Sequence, residues 1–116
     1  MKKKRVVLTV HHLPQAWGPL REVLHTAVGL ATGPEGHAVE VILMGDGLVH
    51  GLKEHGKASN DKYLRSARAH GVELFADQHG MTLRGFTEGQ LVDGISALPR
   101  ERIVWKLGQA DVHVRI

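Results

Sequence analysis

The residues with chemistry to offer gather on three short stretches. His11-His12 follows RVVLTV (5–10), Gly45-Asp46-Gly47 follows AVEVILM (38–44), and Asp77-Gln78-His79 follows VELFA (72–76). Imidazole and carboxylate are ligands that zinc, iron or manganese accept, and they also serve as proton donors and acceptors. A metal centre or an acid–base site is the chemistry these residue types could perform. Spacing gives that reading no support, because the chain holds no HxH, no HxxxH on one helix and no HExxH. Nine histidines can reflect composition alone. His37, His50, His55 and His70 read as surface residues, and no metal ligand is assigned.

Other chemistries fail on detail. Gly45-Asp46-Gly47 lacks the further glycines of a dinucleotide fingerprint and the Lys-Ser/Thr of a P-loop, and Asp46 would repel phosphate. It reads as a strand-to-helix turn. Ser59, Ser66 and Ser96 lie in no nucleophile-elbow context. The chain contains no cysteine, which removes disulfides, thiolate metal sites and thiol nucleophiles together. No catalytic residue and no cofactor is assigned.

Those three stretches need elements to hold them. Residues 5–10 are β-branched and continuous, as in a strand buried on both faces of a parallel sheet, and a loop follows at 11–14. Pro19 suits a helix first turn, and Leu20, Val23, Leu24, Ala27, Val28 and Ala31 recur on one helical face until Gly33-Pro34. A second strand is expected at 38–44, a short helix at 48–54, and a polar loop at 55–59. Asn60 or Asp61 can cap a further helix carrying Tyr63, Leu64 and Ala67, which Gly71 closes. A third strand is expected at 72–76 and a short helix at 81–84, ended by Gly85. Residues 87–94 read as loop or weak strand. Pro99 opens a helix with Ile103, Val104 and Leu107 inward, and 111–116 (DVHVRI) alternates like a strand with one wetter face. This alternation predicts a three-layer α/β/α fold with a mostly parallel sheet of about five strands, in one domain spanning 1–116. In such a sheet ligands bind beyond the carboxyl ends of the strands.

At 116 residues, 42% hydrophobic and 23% charged, the composition is that of a small globular domain. The apolar runs are too short to span a bilayer. Met1-Lys2-Lys3-Lys4-Arg5 resembles a signal n-region but leads into only 6–10 before His11-His12, so a cytoplasmic location is expected. Net charge is +3, with four of the fifteen basic residues in the first five positions. That reads as a solvated extension. A nucleic-acid surface would interleave basic residues with aromatics, and the five Trp, Tyr and Phe are scattered. Neither nucleic acid nor membrane is expected as a partner.

Taken in order, these features resemble the DsrE/DsrF-like family, which includes the TusB, TusC and TusD subunits of a sulfur-relay complex. The first strand and its Ala- and Leu-rich helix match. So do VEVILMGDGL (39–48), with its Gly-Asp-Gly turn, and Gly71-Val72-Glu73-Leu74 followed by Leu83-Arg84-Gly85-Phe86. The closing strand, Ala110-Asp111-Val112-His113-Val114, is similar as well. Sulfur-transferring members of that family place a cysteine six residues after the glycine of Gly-Val. Counting from Gly71 reaches Asp77, and the expected Arg-Gly pair stands at Arg84-Gly85.

The resemblance implies assembly, as a homo-oligomer or with a sulfur-relay partner, with Trp17, Phe86 and Trp105 as candidate interface aromatics. Persulfide transfer needs a polarisable thiolate, which a carboxylate cannot replace. The expectation is a non-catalytic subunit or accessory factor linked to intracellular sulfur metabolism. Its pocket at the strand ends would involve His11, His12, Asp46, Asp77, His79 and Arg84. The alternative is a small-ligand or metal-binding protein using the rim around Asp77, His79 and His11.

Overall fold

A computed structural model describes residues 3–12, 19–53 and 58–116. Trp17, His55 and the loop positions Leu13-Pro14 lie outside the described residues, as do the side chains of Ser59, Asn60 and Asp61. Five strands are described, β1 (Arg5–Val10), β2 (Ala38–Leu43), β3 (Glu73–Asp77), β4 (Ile95–Leu98) and β5 (Val112–Arg115). Four α-helices connect them, α1 (Pro19–Thr32), α2 (Ala58–Ala69), α3 (Gln78–Leu83) and α4 (Arg100–Gln109).

The sheet runs β4-β3-β2-β1-β5, and every pairing is parallel. β1 is central because its sequence is apolar on both faces: Val6, Val7, Leu8 and Val10 are all at most 4% exposed. Its even positions join Val39, Val41 and Leu43 of β2 beneath Leu20, Val23, Leu24 and Ala27 of α1. Leu64 and Ala67 of α2 and Met81 of α3 pack on the same face. Its odd position Val7 lies on the opposite face with Ile42 and Ile103, against Leu107 of α4 and Ala110 just past its end. Helices therefore cover both faces, and the architecture is three-layer α/β/α.

Several local expectations are corrected. Of the two readings left open for residues 87–94, loop fits: Glu88–Gln90 is a 3-10 turn closed by a Thr87/Gln90 capping box, and the fourth strand, which was not placed, follows at Ile95–Leu98. The short helix after the Gly-Asp-Gly turn is a 3-10 segment that begins at the turn, Gly45–Gly51. Asn60 and Asp61 stand inside α2, which starts at Ala58, rather than ahead of it. α3 begins directly at Gln78 rather than at 81.

Val104, expected inward, is 61% exposed. The inward stripe of α4 runs through Ile103, which is buried, and Leu107, which is partly buried, and the residue after Ile103 turns about 100° away from it. β5 is wetter than its alternation suggests, with all four residues exposed.

The Gly45-Asp46-Gly47 turn uses its glycines for different reasons. Gly45 takes the left-handed conformation at φ 54°. At Gly47 any Cβ would land on the Val10 carbonyl, so the turn lies against the end of β1 only because no side chain is there.

Candidate functional site

The best-built polar feature is the carboxylate at the end of β3. Asp77 is the last residue of that strand and is 1% exposed. Arg100 reaches it from the first residue of α4, with Nε donating to Oδ1 at 3.2 Å and Nη2 donating to Oδ2 at 2.5 Å. The chain delivers Arg100 there by pairing β4 beside β3, with Asp77 in register with Leu98 just before Pro99 opens α4. The planar guanidinium fork matches the two carboxylate oxygens, and charge-assisted bonds of this kind are the strong ones. The hydrogen bond to Asp77 holds the Arg100 guanidinium above its ordinary pKa; burial opposes this, and the carboxylate's charge adds to it. Gly80 completes the enclosure. A Cβ there would lie 3.0 Å from Asp77 Oδ2 and 3.1 Å from Leu48, so α3 sits close over the carboxylate.

The other expected site residues lie after β1 and β2 and along α3. Asp46 and Arg84 come together as an ion pair at 3.3 Å, open to solvent on both sides. His79 is exposed in the first turn of α3. His12 is exposed, and its carbonyl accepts a bond from His50 Nε2 at 3.0 Å. His11 is half-buried at the end of β1, and its pKa is lowered from 6.5 by burial first, then by the charges of Arg115, His113 and His12. Among the described residues no three His, Asp or Glu converge to hold a metal ion.

Sequence reasoning missed four participants. Arg100 escaped because β4 was not placed, so a fourth strand end was not searched. His50, expected at the surface, is 1% exposed inside the 3-10 segment, where no periodicity marks the buried side. Lys106 pairs with Glu40 at 2.5 Å, both largely buried, and lies 4.8 Å from the centre of the Phe75 ring. His113 Nε2 meets Thr9 Oγ1 at 2.9 Å on the same face of the sheet. A charged residue inside an otherwise apolar strand, as Glu40 is, was the one available signal.

No protein-family model matches the chain, and no curated protein matches it. Solved structures do. The ychN protein from E. coli superposes with a TM-score of 0.82 over the whole of both chains, at 19% identity. MTH1491 from Methanobacterium thermoautotrophicum, a protein of unknown function, superposes with a TM-score of 0.79 at 16% identity, over 98% of this chain and 100% of its own. The fold is DsrE-like. At these identities the likeness concerns the backbone architecture, and the side chains at the strand ends must be read on their own. No helix among the described residues is long and apolar enough to cross a membrane.

Proposed function

We propose that the chain is a DsrE/DsrF-like protein that does not carry persulfide sulfur. It would act in the cytoplasm, as one domain over 1–116, in the role of an oligomeric subunit or accessory factor of intracellular sulfur metabolism. One observation carries this reading. The position where the resembling family places its sulfur-accepting cysteine holds Asp77, which is buried and held at both oxygens by Arg100. A carboxylate does not attack sulfane sulfur at useful rates, and one locked in an ion pair has no free oxygen edge to offer. The DsrE-like fold, with Gly71-Val72 and Arg84-Gly85 in the family's order around β3 and α3, supports the link to sulfur chemistry. The protein's contribution is then a surface, with a persulfide-carrying protein or further copies as partner.

The test is to put the thiol back. The Asp77→Cys protein is treated with inorganic polysulfide and weighed by intact mass spectrometry, alone and combined with Arg100→Ala to open the site. The expected result is one added sulfur atom in a substituted protein and none in the parent. Failure of both substituted proteins to gain sulfur while remaining folded would overturn the equivalence of Asp77 with the acceptor position.

A further inference from the structure

β5 is an edge strand whose free side is chemically matched to itself. It pairs only with β1 in the sheet, in the register Val6↔Val112 to Thr9↔Arg115. In that ladder Ile116 donates its N–H to the Thr9 carbonyl and accepts from the His11 N–H, both at 2.8 Å. Parallel ladders use alternate residues, so Val112 and Val114 also turn their backbone groups toward β1. His113 and Arg115 therefore present theirs to the open edge. No proline lies in that edge, and its register with β1 is unbroken from Val112 to Arg115.

Its side chains are unusual for an unprotected strand. Val112 and Val114 are 38% and 43% exposed, on the face they share with Val6 and Leu8. They form one wall of a groove of about 450 Å³ whose other side is Val23 and Leu30 of α1. Asp111, His113 and Arg115 are exposed on the opposite face. Asp111, just ahead of the strand, donates its N–H to the Arg5 carbonyl at 2.9 Å and accepts the Arg5 N–H on Oδ2 at 2.8 Å, which leaves its Oδ1 without a bond to β1.

We infer that β5 pairs antiparallel with β5 of a second copy across a two-fold axis at His113, joining two five-stranded sheets into one of ten. Three considerations select this occupant and register. Outward-facing residues must form the hydrogen-bonded pairs of an antiparallel ladder, which limits the axis to positions pairing odd residues with odd. An axis at His113 sets Asp111 opposite Arg115 of the second copy, twice by symmetry. It sets Val112 opposite Val114, also twice. An axis at Val114 would instead set His113 against Arg115 and leave Asp111 with no opposite residue, and one at Val112 would set Arg115 against Gln109. A two-fold contact also closes the β5 edge of both copies at once. The valine pairs then close over the apolar groove, and the two grooves become continuous on one face.

The inference rests on the assembly part of the proposed function and is independent of its sulfur link. Sedimentation at micromolar concentration, with thermal melts to confirm folding, tests it in three samples. The parent chain is expected to dimerise. Arg115→Asp sets aspartate against aspartate, and Asp111→Arg sets arginine against arginine, so each alone is expected to dimerise at least about tenfold more weakly. Mixing the two substituted chains restores opposite charges at both positions, and a heterodimer is expected. A monomeric parent would overturn both this pairing and the assembly reading. An oligomeric parent that neither substitution weakens would overturn the β5 pairing and leave assembly standing. Two weakened chains that fail to pair when mixed would also overturn it.

Discussion

On the face covered by α1, α2 and α3, the sheet buries Val6, Leu8, Val10, Val39, Val41 and Leu43 against apolar helix residues such as Leu20, Leu24 and Leu64. On the face under α4 the fully buried apolar set is Val7, Ile42 and Ile103, with Phe75, Leu98 and Leu107 among the partly buried residues around it, and the face also holds Thr9 with His113, Glu40 with Lys106 and Asp77 with Arg100. The same five strands make both faces, because side chains alternate sides along a strand. One face supplies the hydrophobic burial that holds the domain together. The other can then accommodate polar pairs, each matched to a partner, where a change of residue alters chemistry before it alters fold. Asp77 is such a position: a buried carboxylate tolerated because Arg100 stands beside it.

Substitutions across the two faces can break this contrast. Leu24→Ala, on the apolar face, is expected to cost roughly 3 to 4 kcal/mol in urea unfolding, since a fully buried leucine leaves a cavity that its neighbours only partly fill. Arg100→Ala is expected to cost about 2 kcal/mol, less than a fully buried pair would lose because the Arg100 side chain is 47% exposed and water can reach the carboxylate. The double variant Asp77→Leu, Arg100→Ala should recover most of that loss, since it removes the buried charge along with its partner. A double variant no more stable than Arg100→Ala would show that the carboxylate is not the source of the penalty.

A smaller effect follows from His11. Its pKa lies below 6.5 in the folded chain and near 6.5 when unfolded, so the unfolded state binds the proton more readily. Its contribution is nil at high pH. Stability is then lost as pH falls through 6.5 toward the folded value, and the loss levels off below that. Melts of the parent and His11→Gln between pH 8 and pH 5 should therefore converge at the alkaline end, with the variant losing less on the acid side. Parallel curves would contradict the assignment. Smallest of all, Arg84→Ala should change stability by less than about 0.5 kcal/mol, because its pair with Asp46 is open to solvent at 3.3 Å.

Much of the architecture was legible in residue patterns. The stripe from Leu20 to Ala31 marks α1, the β-branched runs mark β1 and β2, and the apolar run Leu74-Phe75-Ala76 marks β3, because burial on one or two faces imposes such patterns on the sequence. What stayed hidden has physical reasons too. β4 is four residues long, ISAL, and lies against Pro99, too short for alternation to declare itself. With β4 unplaced, nothing pointed to Arg100, whose partner lies 23 residues earlier in the chain. His50 is buried by a 3-10 turn, which has no amphipathic period long enough to read. Asp46, in the turn after β2, and Arg84, at the end of α3, were both named for the rim, and the structure brings them into contact.

The central claim is that this chain serves sulfur transfer through a surface and not through a thiol. Titration calorimetry with a purified persulfide-carrying protein of the TusA type, followed by intact mass spectrometry of both proteins, tests it most directly. The expected result is saturable binding with no sulfur gained by this chain. An absence of binding at concentrations where the parent is folded and assembled would contradict it.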